Sequence, residues 1–386
     1  WATSRAASAS PSTAARRAAA TPRPGTSSSK SQQPRRLGHA QPSSSSTSRK
    51  WHTVRIAIVT NTATVSVDRL PRDLASDREM EVVPAAVELA LRSRGHITRV
   101  FGASLEIGAA CKAWGAEIAL NLAEGFASTN GHEHLVPALL DYSGVRYTGA
   151  NAANMLQLRD KLLTRFVLER HGVACPPCEV VRTASDLKHT RVDFPVILKP
   201  SREEASHGIF YSSVVSDVEE LSARTSILLE AYRQPIIVEK FIEGREFSVG
   251  VIGNSEIRCL PIVEFMFPGA PITEAFRSFE RKWLGGQEEI IAAGDLTHSE
   301  AEQLADITRL VHRTFDCRDY SRADFRMDRY RNIYFLEHNF NPGIGPHRDG
   351  LSNTFTKMAE CAGVSYEEML ECIVQTAIRR HARNAH

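Results

Sequence analysis

From Val54 onward, apolar residues fall in short blocks separated by polar or glycine-rich breaks. The first block, VRIAIVTN, is almost continuously apolar, as expected of a strand buried on both faces of a parallel sheet. EMEVVPAAVELALRS has helical spacing and stops at Gly95, and RVFGAS and AEIALNLAEG read as further strands. Strand and helix alternate through about residue 148, which predicts an open α/β domain. A helix containing Lys161 then leads to a Pro-Pro break, after which EVVRT, FPVILKP, GIFYSSVV and IIVEKFI read as short strands. A third portion opens with REFSVGVIGN and closes on a helix over SYEEMLECIVQTAIRRH.

Near the end of that third portion, SRADFRMD and NIYFLEHNF flank the polar turn DRYRN, predicting an antiparallel hairpin. Arg322, Asp324, Arg326 and Asp328 then share one face, with Ala323, Phe325 and Met327 on the other. Glu337 and Asn339 also share a face, and counting back from the turn puts Asp324 roughly opposite Glu337. Two carboxylates facing each other across a ladder repel. A divalent cation such as Mg²⁺, which takes oxygen ligands, removes that cost. Neutralisation by Arg322 or Arg326 on a solvated edge removes it equally well, and both readings stand at this point. Lys199 ends an apolar strand before the polar loop SREEASHG. There it either holds phosphate by charge, beside backbone N–H groups, or reaches into water as a strand terminus. Glu239 and Lys240 lie on opposite faces of the next strand, Gly244 turns the chain, and Glu246 opens the following one. A strand end of this kind reads an adenine edge and a ribose hydroxyl, or is simply a hairpin with solvated charges.

Composition changes the picture at the N-terminus. Residues 1–50 are rich in Ser, Ala, Pro and Arg, carry nine Lys or Arg and contain no Asp or Glu. The segment, about 1–52, is expected to be disordered. It has no apolar core of a secretory signal and resembles an organelle transit peptide. The whole chain is +2, but setting this segment aside leaves 38 Lys and Arg against 45 Asp and Glu, about −7. That balance argues against nucleic acid as a partner. No apolar run approaches the roughly 20 residues of a membrane span. Seven scattered cysteines are expected to be free thiols of a reducing compartment. CPPC, Cys175 to Cys178, matches a redox or zinc half-site but lacks a second pair. The expected location is cytoplasmic, with an organelle as the alternative.

Taken in order, RDK, FPVILKPSREEASHG, VEKFIEGREFSVGV, FERKW, SRADFRMD and EHNFNPG resemble the ATP-grasp superfamily and, within it, the D-alanine–D-alanine ligase family. The resemblance covers roughly residues 54–380. It implies an N-terminal α/β domain (53–148) followed by a two-lobed ATP-grasp domain, the small lobe at 149–237 and the large lobe at 238–386. It implies ATP between the lobes and two Mg²⁺ ions, or Mn²⁺ in their place. Lys161, Lys199 and Ser206 would then serve the ATP phosphates; Glu239, Lys240 and Ile242 would frame the adenine, and Glu246 would take the ribose. Lys282 would reach the transferred phosphate from a loop. Asp324, Glu337 and Asn339 would hold the metals, while Arg322 and the Gly343 N–H would stabilise an oxyanion. The implied chemistry is attack of an amino-acid carboxylate on ATP to give an acyl phosphate, followed by attack of a second amino acid's amine. Homodimers are common in the family.

The chain departs from the family at substrate-facing positions. The first loop is replaced by NTATVSVDRLPRDLASDREMEVV, in which Asp77 or Glu79 is the nearest candidate for a substrate ammonium. Asn121 and Glu124 stand where many members have a histidine. Glu204 and Ala205 replace Gly and Ser in the phosphate loop, making it more acidic and stiffer. Trp283 follows the loop lysine where tyrosine is common. Arg348 lies where a small hydroxyl residue usually helps hold the acceptor carboxylate. The expected function is dipeptide ligation, of D-alanine or of other amino acids or another amine acceptor. An ATP-binding sensor or scaffold without turnover is the contrasting expectation.

Overall fold

A computed structural model describes residues 52–61, 77–126, 132–189, 191, 193–347 and 353–383. The expected disorder of residues 1–50 therefore lies outside the described residues.

β1 (Arg55–Thr60) is fully buried over its four central residues, because it pairs in parallel with a strand on each side. After α1 (Asp77–Ser93) comes β2 (Ile97–Gly102), and after α2 (Ile107–Trp114) comes β3 (Ile118–Asn121), giving a parallel sheet of order β2-β1-β3. α3 (Leu135–Tyr142), α4 (Ala152–Arg159) and α5 (Lys161–Arg170) follow.

β4 (Cys178–Val181), β5 (Val196–Pro200), β6 (Val214–Val215) and, after α6 (Val218–Tyr232), β7 (Ile236–Lys240) form a second sheet, order β4-β7-β5-β6, entirely antiparallel. The strand expected over GIFYSSVV is mostly absent. A 3₁₀ turn occupies Tyr211–Ser213 and only Val214–Val215 pair. The Ser213 hydroxyl accepts from Phe210 N–H at 2.9 Å and donates to the Gly208 carbonyl at 3.3 Å, which gives this backbone partners outside any ladder.

The third sheet contains β8 (Gly244–Gly253), β9 (Ile257–Cys259), β10 (Val263–Met266), then, after α7 (Phe279–Trp283), β11 (Glu289–Ala292), and, after α8 (His298–Thr314), the hairpin β12 (Tyr320–Asp328) and β13 (Ile333–Asn339). Its order is β11-β10-β8-β12-β13, with β9 on β8. α9 (Thr354–Cys361) and α10 (Tyr366–Arg383) end the described chain.

One face of this sheet buries Phe247, Val249, Ala323, Phe325, Met327 and Phe335 against α4, α5 and α8. Each large apolar side chain so buried contributes about 1.5–3 kcal/mol. Residues 150–173 thus pack on the large sheet, and β7 runs through the expected 237/238 boundary while pairing in the second sheet. α1, α9 and α10 join the first sheet to the far end of the third through Ile56, Ile58, Tyr320, Phe355 and Ile373. Among the described residues no helix is long and apolar enough to cross a membrane.

Candidate active site

The hairpin has the expected pairing. Asp324 lies directly opposite Glu337, and Arg322 opposite Asn339. A register shift follows, since Phe325 pairs with Phe335 and leaves Leu336 as a bulge. Strict alternation would put Phe335 and Glu337 on one face. The bulge instead sends Phe335 into the core against Phe325 while Glu337 joins Asp324 on the polar face.

That face forms the wall of one large cavity. It gathers Lys161, Lys199, Ser206, Glu239, Lys240, Ile242, Glu246, Lys282, Asp324, Glu337 and Asn339, the eleven site residues expected for nucleotide, metal and phosphoryl transfer, together with Arg322, expected at the oxyanion. The second sheet supplies Lys199 and Glu239. They are diagonal neighbours, because Lys199 pairs with Ile237 and Glu239 with Ile197. Their side chains form a buried ion pair, and Arg165 approaches the same carboxylate at 3.4 Å. Asp160 caps α5 by accepting from the N–H groups of Leu162 and Leu163, which fixes Lys161 at the first helical position. Lys161 Nζ lies 3.3 Å from Glu337 and also donates to the Glu203 carbonyl. Lys240 donates to the carbonyls of Asp193 and Phe194.

The arginine account of the facing carboxylates is visible in the geometry. Arg322 grips Asp324 through two bonds of 2.8 and 2.7 Å, and Ser248 donates a third. Burial pushes the Glu337 carboxyl up, but Lys161, Arg322 and Lys199 outweigh it and hold the group below the usual range. An ionised Glu337 facing Asp324, with the Asn339 amide oxygen on the same strand face, is a hard-oxygen donor set that suits magnesium. Asn339 Oδ1 at present accepts from the Asn341 N–H at 3.0 Å. Arg326 is committed elsewhere, 3.5 Å from Glu246. Burial lifts the Glu246 carboxyl to about 7 despite the Arg326 charge.

The phosphate loop departs from expectation in one respect. Ala205 and Ser206 have φ of +53° and +62°, so the glycine-like backbone persists without glycine, and a stiffer loop is too simple a description. Holding non-glycine residues there costs about 1–2 kcal/mol each. Gly208, at φ +78°, could not carry a side chain, since a Cβ would lie 2.4 Å from Pro200. Burial and the neighbouring Glu133 push the Glu204 carboxyl up to about 8. Trp283 is not in the cavity wall. Its indole N–H donates to the Ala205 carbonyl at 3.0 Å, and Lys282 Nζ sits 4.3 Å from its ring centroid. The tryptophan thus ties the lysine-bearing helix to the phosphate loop.

A smaller cavity beside the first is lined by Val83, Leu122, Glu124, Tyr320, Gly343 and Asn353. A Cβ at Gly343 would meet Asn353 Oδ1 at 2.7 Å, so a side chain there would force the buried Asn353 amide to shift. Asn121, expected beside Glu124, is instead buried, and its Oδ1 accepts from Ala123 N–H as a turn former. The Asp77 side chain and Arg348 lie outside the described residues. Sequence reasoning missed Arg165 and Arg277 in the large cavity. Arg165 is one helical turn after Lys161, a spacing that could have flagged it. Arg277 reaches Thr354 and Glu288 from a loop and left no such signal. Burial raises the thiols of Cys175, to about 12, and Cys178, which disfavours redox chemistry at CPPC.

A family model described as the D-ala D-ala ligase C-terminus matches residues 167–375. The chain is 32% identical over 267 residues to an uncharacterized protein, y4sG, of Sinorhizobium fredii, covering 68% of this chain and 75% of that one. It is 27% identical over 307 residues to a D-alanine–D-alanine ligase of Bordetella avium, covering 78% and 92%. A crystal structure of the D-alanine–D-alanine ligase from Bacillus anthracis complexed with ATP shares the fold, with a TM-score of 0.63 at 19% identity over 86% of this chain and all of that one. The VanG D-Ala:D-Ser ligase of Enterococcus faecalis does so at 0.64 and 16%, over 84% and 99%. With more than half of its length matched by the family model and its catalytic-type residues gathered in one cavity, the chain belongs to the D-alanine–D-alanine ligase family of ATP-grasp proteins.

Proposed function

We propose that the chain, an ATP-grasp ligase by family, joins the carboxylate of one amino acid to the amine of another while ATP is cleaved to ADP and phosphate. The observation that carries this reading is the convergence of two phosphate-type lysines, a paired-carboxylate hairpin and Glu246 on one cavity. Lys161 and Lys199 supply positive charge for the phosphates; each is poised by a carboxylate, Glu337 and Glu239. Glu246, with a carboxyl near neutrality, can accept from or donate to a ribose hydroxyl. Asp324, Glu337 and Asn339 are the residues that would hold magnesium, which when bound offsets charge on the transferring phosphoryl group.

In the first step a carboxylate oxygen of the first amino acid bonds to the γ-phosphorus and the bond to ADP breaks. In the second, a neutral amine attacks the acyl carbon, the C–O bond to phosphate breaks, and the amine's proton is released. Arg322, beside the hairpin carboxylates, and the Gly343 N–H, at the neighbouring cavity, are the groups assigned to the developing oxyanion. The smaller cavity, with Glu124 among apolar walls, suits a small amino acid whose ammonium needs a carboxylate partner. Measuring ADP formation with separate pools of D- and L-amino acids tests the proposal. Amino-acid-dependent ADP release accompanied by a dipeptide supports it. ATP binding without turnover on either pool would leave a nucleotide-binding protein instead.

A further inference from the structure

At the opposite end of β8 from Glu246, about 20 Å away along the strand, lies a third cavity of about 700 Å³. It shares no lining residue with the two cavities above. Six arginines face it: Arg258 from β9, Arg313 at the end of α8, Arg318 from the loop before β12, and Arg379, Arg380 and Arg383 from the last turns of α10. Glu256 and Asp316 are the carboxylates of the lining. Arg380 is neutralised by buried Asp319, which it holds with bonds of 3.0 and 2.8 Å. The other five have no carboxylate within 4 Å among the described residues. Their contacts are to neutral groups: Arg383 to the Ser255 hydroxyl at 2.6 Å, Arg379 to Thr376 at 3.1 Å, Arg318 to the Tyr147 hydroxyl at 3.5 Å.

Helix polarity accounts for part of this. Cations at the C-termini of α8 and α10 meet partial negative charges of about half a unit each. That explains Arg313, Arg379 and Arg383 but neither Arg258, on a strand, nor Arg318, in a loop. With both carboxylates and both helix ends counted, the cavity keeps a charge of about +2, in a folded region that is otherwise acidic. Converging guanidinium groups repel unless an anion joins them. Their planar forks of donors match phosphate oxygens, and such charge-assisted bonds are about twice as strong as neutral ones. The concave shape and the volume, within the range of small-molecule sites, fit a compact ligand rather than a polymer. We infer that this cavity is a second binding site, separate from the ligase site, for a small anion carrying two or more phosphate groups.

The test is calorimetric titration of the full chain with inorganic tripolyphosphate in magnesium-free buffer. Three proteins are compared: wild type, Arg313→Gln/Arg379→Gln/Arg383→Gln, and Lys161→Met/Lys199→Met, which disables the phosphate-type lysines of the other cavity. The arginine variant is first shown to be folded by its thermal melt, and the single Arg383→Gln change serves if the triple variant is not. The expected result is binding that survives in the lysine variant and weakens about tenfold per arginine removed. Absence of binding to wild type, or binding lost with the lysines and kept without the arginines, overturns the inference. Tighter, arginine-dependent binding of short duplex DNA than of tripolyphosphate also overturns it, in favour of a macromolecular partner.

Discussion

Replacing Glu239 by glutamine removes a charge at nearly constant shape, so its cost reports the electrostatics of the nucleotide cavity rather than packing. Lys199 and Glu239 are 9% and 5% exposed, and Arg165 leans on the same carboxylate at 3.4 Å. Breaking a buried pair by deleting one partner costs about 3–5 kcal/mol, because the remaining charge is left unpaired. The glutamine oxygen still accepts a hydrogen bond from one of the two cations, which returns about 1 kcal/mol. Glu239→Gln should therefore destabilise the nucleotide-free protein by about 2–4 kcal/mol. Lys199→Met alone should also destabilise, leaving Glu239 with only Arg165. The double variant should cost at least about 1.5 kcal/mol less than the sum of the two single changes, since it strands neither partner. Urea unfolding of the four proteins measures this coupling. Additivity within about 0.5 kcal/mol would refute the pairing, and with it the view that Glu239 holds Lys199 in place for phosphate.

Glu337→Gln should lower amino-acid-dependent ADP formation by at least about a hundredfold with an unchanged circular dichroism spectrum, because it takes a negative charge from the donor set of the hairpin; activity within threefold, as an approximate bound, counts against that assignment. His312 is buried, with its ring between the Ser321 hydroxyl at 2.6 Å and the Gly253 carbonyl at 3.1 Å, and burial pulls its pKa from 6.5 to about 4. The unfolded chain then binds the proton first, so stability present above pH 6.5 is lost as pH falls towards 4. Urea midpoints across that window should fall more steeply for wild type than for His312→Gln; equal slopes would show that His312 is not the titrating group. Arg348→Ser should raise KM for the amine substrate about ten- to a hundredfold, the loss expected for one charged contact, and leave KM for ATP unchanged; an unaltered amine KM places Arg348 outside the acceptor site.

The hairpin was legible because period-two alternation and one polar turn determine which side chains face each other, and Asp324 does oppose Glu337. The bulge at Leu336 was not legible, since an extra residue in one strand depends on how that strand bends against its partner. GIFYSSVV misled for a related reason. Its apolar residues suit a strand, but the Ser213 side chain and the left-handed Gly208 turn the backbone into a 3₁₀ segment. Motif order brought twelve of the sixteen expected site residues to one cavity, because most of them sit on or beside strands and helices whose position follows from local pattern. What the motifs did not reveal is how those residues hold one another. The Lys199–Glu239 pair arises from strand register, as does the path of Arg326 to Glu246, whereas Arg322 and Asp324 lie two residues apart on one strand. Trp283 shows the same limit. Its sequence position marked it as substrate-facing, whereas its indole N–H serves the neighbouring loop.

The central claim, ligation through an acyl phosphate, is tested most directly by following oxygen. An amino acid labelled with ¹⁸O in its carboxylate is incubated with ATP, magnesium and the enzyme, and the inorganic phosphate released is examined by mass spectrometry. If the carboxylate attacks the γ-phosphorus and phosphate later leaves from the acyl carbon, one labelled oxygen per dipeptide must appear in phosphate. Transfer of one ¹⁸O, in step with dipeptide and ADP, is the predicted result. Dipeptide formed with unlabelled phosphate would contradict the account.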